Sequence, residues 1–268
     1  MTRRGASTVS GAGRTADGDR WFFFSHASLL SAICFAGFSF TYFGPIATGS
    51  YPPAGYALHL HGWSFFAWYL LLPVQAALIA TGRSAIHRSL GRLSVALVAV
   101  MAATGILVLT VRVEEAVRTG VPDVWLPYGP LMLAILLMVL AFYAAGIRAA
   151  VQRRIESHQR LMIVASSIGL GAAFSRLVMY LSGFHPLSLP AGALGCSLFI
   201  VIGIVRDWSR RRRVHRVYWI GLLTMLAVET AVLPQLNPGL VDFMDARMAS
   251  VGERLGFFYR PDPTVQFR

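Results

Sequence analysis

The residues able to do chemistry in this chain are ionisable groups stranded in apolar surroundings, and there are few of them. Arg176 and Glu229 each lie several turns inside long apolar runs, His59 and His61 open another, and His185 follows the run that holds Arg176. A charge in such surroundings is costly, so these groups should face a protein interior, where each can pass a proton, hold an anion or ligate a metal. Three more histidines, His87, His158 and His215, stand among arginines at the opposite ends of apolar runs. Helical spacing sorts them further. His59 and His61 are two residues apart and cannot share a face. The stripe through His61 continues as Phe65, Trp68, Leu72 and Gln75, while His158 and Arg176 align over five turns through Ala165, Gly169 and Ala172. His215 and Glu229 align in the same way through Leu222 and Leu226.

These groups need helices of membrane length to position them. The chain has 268 residues, 56% hydrophobic and only 13% charged, about half the charge of a soluble domain. A water-facing globule is thereby excluded, as are disorder and a disulfide scaffold. Seven apolar segments at 22–47, 57–80, 90–111, 127–147, 161–182, 190–205 and 217–234 predict an all-α, polytopic bundle of seven transmembrane helices. All 24 cationic side chains are arginine, which fits a GC-rich coding bias. Seventeen of them fall in the amino-terminal arm and in the second, fourth and sixth connections, against Arg112 and Arg118 in the short loops opposite. That asymmetry predicts the amino terminus inside, the carboxyl terminus outside, and residence in a bacterial inner membrane. Residues 1–20 read as a disordered basic cytoplasmic arm, 21–234 as the transmembrane domain, and 235–268 as an external tail, with no internal repeat.

The depth of each group then defines two polar layers. The outer layer holds His61, Arg176, Glu229, Tyr180 and His185; the inner layer holds His87, His158 and His215. Each has a plain alternative: an Arg176–Glu229 ion pair that only locks the bundle, or inner histidines that only meet lipid headgroups. The small stripe of Ser167, Gly169, Gly171, Ala172, Ala173 and Ser175 serves close helix packing or a groove for a flat cofactor. In the tail, Val241, Met244, Met248, Val251 and Leu255 describe one face of a helix that lies on the bilayer or bundle, or docks a partner membrane subunit through residues 241–255.

Haem b in a helical bundle needs two imidazoles from different helices facing each other, with their second ring nitrogens hydrogen-bonded. His61 with His185, and His87 with His158, can be drawn as such pairs, and a membrane thickness separates His61 from His87. The stretch His61-Gly62, Ala67-Trp68, Leu72-Pro73 and Ala76-Ala77 resembles the first core helix of cytochrome b561-type proteins, and His87-Arg88-Ser89-Leu90-Gly91 resembles the opening of another core helix in that family. The HG, HRxLG and HxRLM segments are also similar to those of uncharacterised bacterial polytopic membrane proteins. The resemblance implies that His61 and His87 ligate haem. The gap before Trp68 is one residue short of the pattern, and the chain has one span more than the usual six.

Three functions are therefore expected to compete. One is a membrane redox subunit with haem b or a quinone, using His61, His87, His158 and His185, with Arg176 as propionate or quinone partner. A second is a proton-coupled transporter or small-molecule-binding protein built on Arg176, Glu229 and His61, with Trp68, Gln75 and Tyr180 lining its pocket. The third is a structural or assembly subunit. His61, His185, His87 and His158 are also candidate metal ligands, and the outer histidines with Glu229 supply imidazole and carboxylate donors that suit copper, zinc or iron, although no helix carries HExxH or ExxH spacing. No motif commits the chain to being an enzyme. Nothing marks nucleic-acid binding, nucleophilic hydrolysis lacks a GxSxG, and ATP hydrolysis lacks a Walker lysine because the chain contains no lysine.

Overall fold

In the computed structural model, residues 9–120 and 128–258 are described, and among them the chain is helical throughout its regular structure, with no strand. The elements are α1 (Val9–Phe38), a π-helical turn (Ser39–Phe43), α2 (Gly44–Ala47), α3 (Tyr56–Ala80), α4 (Ser84–Thr119), α5 (Gly129–Val151), α6 (Ile155–Gly169), α7 (Gly171–Leu181), α8 (Ser188–Gly195), α9 (Ser197–Arg211), α10 (Arg216–Ala231) and α11 (Pro238–Leu255). Helix pairs the backbone groups within each apolar segment, as burial in lipid requires.

Five stretches are long and apolar enough to cross a membrane: Asp19–Ala47, Tyr56–Ala80, Ser84–Thr119, Gly129–Val151 and Ser188–Arg211. A sixth is the pair α6 and α7, bent by 47° where Gly169 and Gly171 flank Leu170, the glycine-rich kind of site at which helices kink. The seventh expected span falls short. α10 has 16 residues, about 24 Å of helix against a hydrocarbon layer of about 30 Å, and it gives way to turns around Pro234. At the other end, helix begins at Val9 inside the segment expected to be a disordered arm. The carboxylate of Asp19 ties it down by pairing with Arg206 and Arg211. Arg3 and Arg4 lie outside the described residues, as do Asp123 and the end of the tail.

The small stripe divides its work. A Cβ at Gly37 of α1 would stand 2.0 Å from the Ala173 carbonyl oxygen, and one at Gly192 of α8 would stand 2.3 Å from Ser175 Cα. Those faces of α7 meet their neighbours backbone to backbone, the small-residue packing that holds membrane helices together. Gly169 and Ala172 instead line a cavity.

The tail helix α11 lies along α4. Val241 and Met248 are buried, and Gly252 sits so close that a Cβ there would be 2.1 Å from the Thr110 carbonyl oxygen. Much of the apolar stripe is thereby spent on the chain's own bundle, and the face expected to dock a partner is largely covered.

The turn between α3 and α4 recurs between α5 and α6 with an offset of 71 residues: α3 ends at Ala80 and α4 starts at Ser84, while α5 ends at Val151 and α6 starts at Ile155. Both turns carry a left-handed residue at the same place, Gly82 and Arg153. The turn hydrogen bonds match one for one, among them Thr81 N to Ala77 O beside Gln152 N to Arg148 O, and His87 N to Arg83 O beside His158 N to Arg154 O. Few side chains are shared across that offset, chiefly Leu60/Leu131, Arg83/Arg154, His87/His158 and Leu90/Leu161. The likeness therefore lives in backbone geometry and escapes a reading of residue types.

Candidate functional site

The two like turns bring two histidines together, edge to face. His87 and His158 occupy the first turns of α4 and α6, and their ring centres are 6.2 Å apart with planes at 78°. His158 Nδ1 lies 3.0 Å from the Gly146 carbonyl oxygen, and His87 Nδ1 lies 3.3 Å from the Gln75 carbonyl oxygen, each reaching twelve residues back across its own hairpin. A carbonyl only accepts, so Nδ1 of His158 carries the proton and donates. This leaves Nε2 of His158 as a bare acceptor, the tautomer a metal-ligating histidine adopts when a backbone carbonyl orients it. Both residues are half-buried. The Gln75 amide also lies within hydrogen-bonding reach of His87. Trp68, two turns away along the same stripe, is buried and donates to Ser166 Oγ at 3.2 Å.

The end of the bundle away from the arginine-rich turns holds a cavity of about 780 Å³, whose walls include loop residues 51–55 and the carboxyl-terminal end of α4 (Arg112, Glu115 and Arg118). His61, Arg176, Phe38, Phe65, Tyr69 and Met132 are among its lining residues. His61 Nδ1 is 3.4 Å from Thr104 Oγ1, whose own proton goes to the Val100 carbonyl at 2.7 Å. The hydroxyl thus accepts from Nδ1, and His61 Nε2 is again the spare nitrogen. Arg176 donates to the Ala172 carbonyl at 2.8 Å and lies 4.6 Å from the centre of the Phe38 ring. His59 faces elsewhere, as the helical spacing requires: its Nδ1 accepts from Tyr42 Oη at 2.9 Å, and that oxygen in turn accepts from Trp63 Nε1 at 2.7 Å.

The remaining outer-layer residues are not brought into that cavity. His185 is exposed in the loop after α7, where its Nδ1 accepts from Leu187 N, so it does not face His61. Tyr180 is half-exposed and stacks on Phe40 with ring centres 3.7 Å apart. Glu229 is fully buried, is absent from the cavity lining, and meets no hydrogen-bond partner for either carboxyl oxygen. The expected Arg176–Glu229 ion pair is therefore not formed. A coupled site of His61, Arg176 and Glu229 is not assembled either, because α10 buries Glu229 away from the cavity walls.

The bundle is locked at its arginine-rich end instead. Arg160 makes a two-pronged contact with Asp207, Nε to Oδ2 at 2.9 Å and Nη2 to Oδ1 at 2.8 Å, with both side chains almost completely buried. Arg160 also donates to the Glu156 carbonyl at 2.9 Å, and Asp207 accepts from the His215 backbone N–H at 3.2 Å. Arg211 bridges Asp19 and Glu156 at 2.7 and 2.8 Å. His215 caps α10, its Nδ1 accepting from Val217 N, and burial together with the nearby Arg160 guanidinium holds its imidazole below the ordinary histidine pKa. The signal for this clasp was in the sequence: Asp207 is the lone acid among six arginines between 206 and 216. The first span also buries His26, beside the Phe22 ring.

Among the described residues, no three or more histidine, cysteine or carboxylate side chains converge as a metal site. The four candidate metal histidines fall instead into one close pair, one cavity residue and one exposed loop residue. A family model described as "Predicted membrane protein (DUF2306)" matches residues 71–207, just over half of the chain. No curated protein and no solved structure matches it.

Proposed function

The chain belongs to the DUF2306 family of predicted membrane proteins, and on that premise we propose that it is a redox subunit of a bacterial plasma membrane in which His87 and His158 would hold a b-type haem. The observation that carries this reading is the close imidazole pair, with His158 Nδ1 anchored on the Gly146 carbonyl and His87 Nδ1 near the Gln75 carbonyl. The ring centres are 6.2 Å apart, close enough for two imidazoles to share one ion through metal–nitrogen bonds of about 2.0 Å. A protein site for a bare ion generally needs three or four donors. Two donors suffice where a macrocycle supplies the other four, so the donor set fits haem better than a lone ion.

Bound there, haem would supply one-electron chemistry. The chain's part is to hold both imidazoles at the neighbouring amino-terminal ends of α4 and α6, with His158 fixed in the ligating tautomer by the Gly146 carbonyl. Exposed arginines at the hairpin ends, Arg83, Arg88, Arg153 and Arg154, offer guanidinium groups to anionic side groups. The orientation belongs to the same reading: the arginine asymmetry supports an internal amino terminus, which puts His87 and His158 at the cytoplasmic side. Counting α10 as a short seventh crossing carries the tail to the outside.

The test is cofactor retention. Purified wild type should carry haem, and His87→Ala and His158→Ala should each lose the haem of this site while His185→Ala keeps it. Full retention in both variants would overturn the assignment.

A further inference from the structure

The arginines at the clasped end of the bundle fall into two sets. Arg160, Arg206 and Arg211 are paired with Asp207, Asp19 and Glu156, which occupies those three acids. Arg148 in the last turn of α5, Arg154 in the turn that follows and Arg216 at the start of α10 are exposed, and no carboxylate among the described residues pairs with them. These three come from separate parts of the chain and meet around one groove of about 270 Å³, floored by the buried Leu161 and walled by Val217 and Ile220. We propose that this groove binds the headgroup of an anionic phospholipid, with its phosphate held by Arg148, Arg154 and Arg216. The site is independent of the haem reading, since neither His87 nor His158 lines it.

Three observations support it. The first is charge: guanidinium groups fork onto phosphate oxygens, and no acid among the described residues lines the groove to oppose an anion. A basic pocket between membrane helices is suited to anionic headgroups for that reason. The second is the apolar track that each wall carries beside its cation. On α10, Ile220 and Leu223 follow Arg216 along one helix face and are 52% and 62% exposed. On α5, Ala144, Ala141 and Leu137 run back from Arg148 along one face, and all three are exposed. A cation at the rim with an open apolar stripe beside it matches a phosphate joined to acyl chains, whereas a soluble phosphate would use the rim alone. The third is size. The groove falls just below the 300–1,000 Å³ or so of pockets that enclose a drug-sized ligand, so it seats a headgroup and leaves the chains along the helices.

The experiment counts lipids held by the full-length protein. Protein released from nanodiscs of equal phosphatidylglycerol and phosphatidylcholine is read by native mass spectrometry. Wild type is expected to keep one phosphatidylglycerol in preference to phosphatidylcholine. Arg148→Gln with Arg216→Gln leaves Arg154 and the histidine pair in place and should weaken retention about 25-fold, at about fivefold for each arginine. Arg210→Gln with Arg213→Gln removes the same charge from the same end outside the groove and should change it little. Ala145→Phe fills the groove from an exposed position without altering charge, and it should abolish retention in a protein that still folds. Equal retention of the two lipids would overturn the proposal. Equal loss in the two double variants would overturn it too, because the attraction would then belong to the whole face. Undiminished retention in Ala145→Phe would put the lipid elsewhere and overturn the groove as its site. Displacement by inorganic phosphate at the lipid's own concentration would overturn the lipid as ligand and leave a simple anion site.

Discussion

At the scale of single residues, the clearest lesson concerns which charges matter. Arg160 and Asp207 are buried against each other, so removing one partner strands the other in a low-dielectric interior. Asp207→Ala is expected to cost about 3–5 kcal/mol, whereas replacing both residues by apolar ones of similar size should cost far less; unfolding in a detergent and denaturant series checks both. Asp245 on α11 gives a pH-dependent counterpart. Burial, with Asp242 nearby, pushes its carboxyl up to about 6, and its Oδ1 has no hydrogen-bond partner. The folded protein therefore holds this proton more tightly than the unfolded chain does. The associated stability is complete below about pH 4, is lost as pH rises through 6, and stays lost above. Allowing for partial exposure, the loss amounts to about 1 kcal/mol. Asp245→Asn should flatten that slope in melting temperatures recorded between pH 4 and 7. The sequence placed His61 and Arg176 in one layer, and they share one cavity. It also paired Arg176 with Glu229, because depth along a helix can be counted from residue numbers while the azimuth of one helix about another cannot.

At the scale of elements, helix existence was legible and helix ends were not. Every apolar run is helical, because lipid offers the backbone no other partner. Their limits moved: α4 runs for 36 residues from Ser84 to Thr119, with α11 packed along it, and α10 stops short at the turns around Pro234. The recurring turn stayed hidden because it is a match of turn geometry and hydrogen bonding in which Gly82 and Arg153 play one conformational role. The contact of α11 with α4 is testable at Gly252. Any side chain there meets the Thr110 carbonyl, so Gly252→Val should lift the tail helix. The expected penalty is about 1–3 kcal/mol, and protease cleavage between α10 and α11 should become faster. Unchanged cleavage would place α11 elsewhere.

For the whole molecule, the arginine asymmetry and the helix order make a topology that can be measured. Both native cysteines are buried, which leaves a low background for introduced ones. Ser50→Cys and Glu115→Cys should react with a membrane-impermeant maleimide added to intact cells, and Arg210→Cys only after permeabilisation. The reverse pattern would invert the bundle and move the His87–His158 pair to the outer face. The architecture then amounts to two hairpins with like turns, an imidazole pair at one end and a cavity at the other, clasped by charge on the arginine-rich side and by α11 on the far side. The central claim is that His87 and His158 hold one iron between them. The most direct measurement is the optical spectrum of the purified full-length protein, oxidised and then reduced with dithionite. The account predicts a Soret band that shifts on reduction together with a sharp α-band of six-coordinate haem b, both diminished in His158→Ala. A colourless protein, or haem bands identical in wild type and His158→Ala, would contradict it.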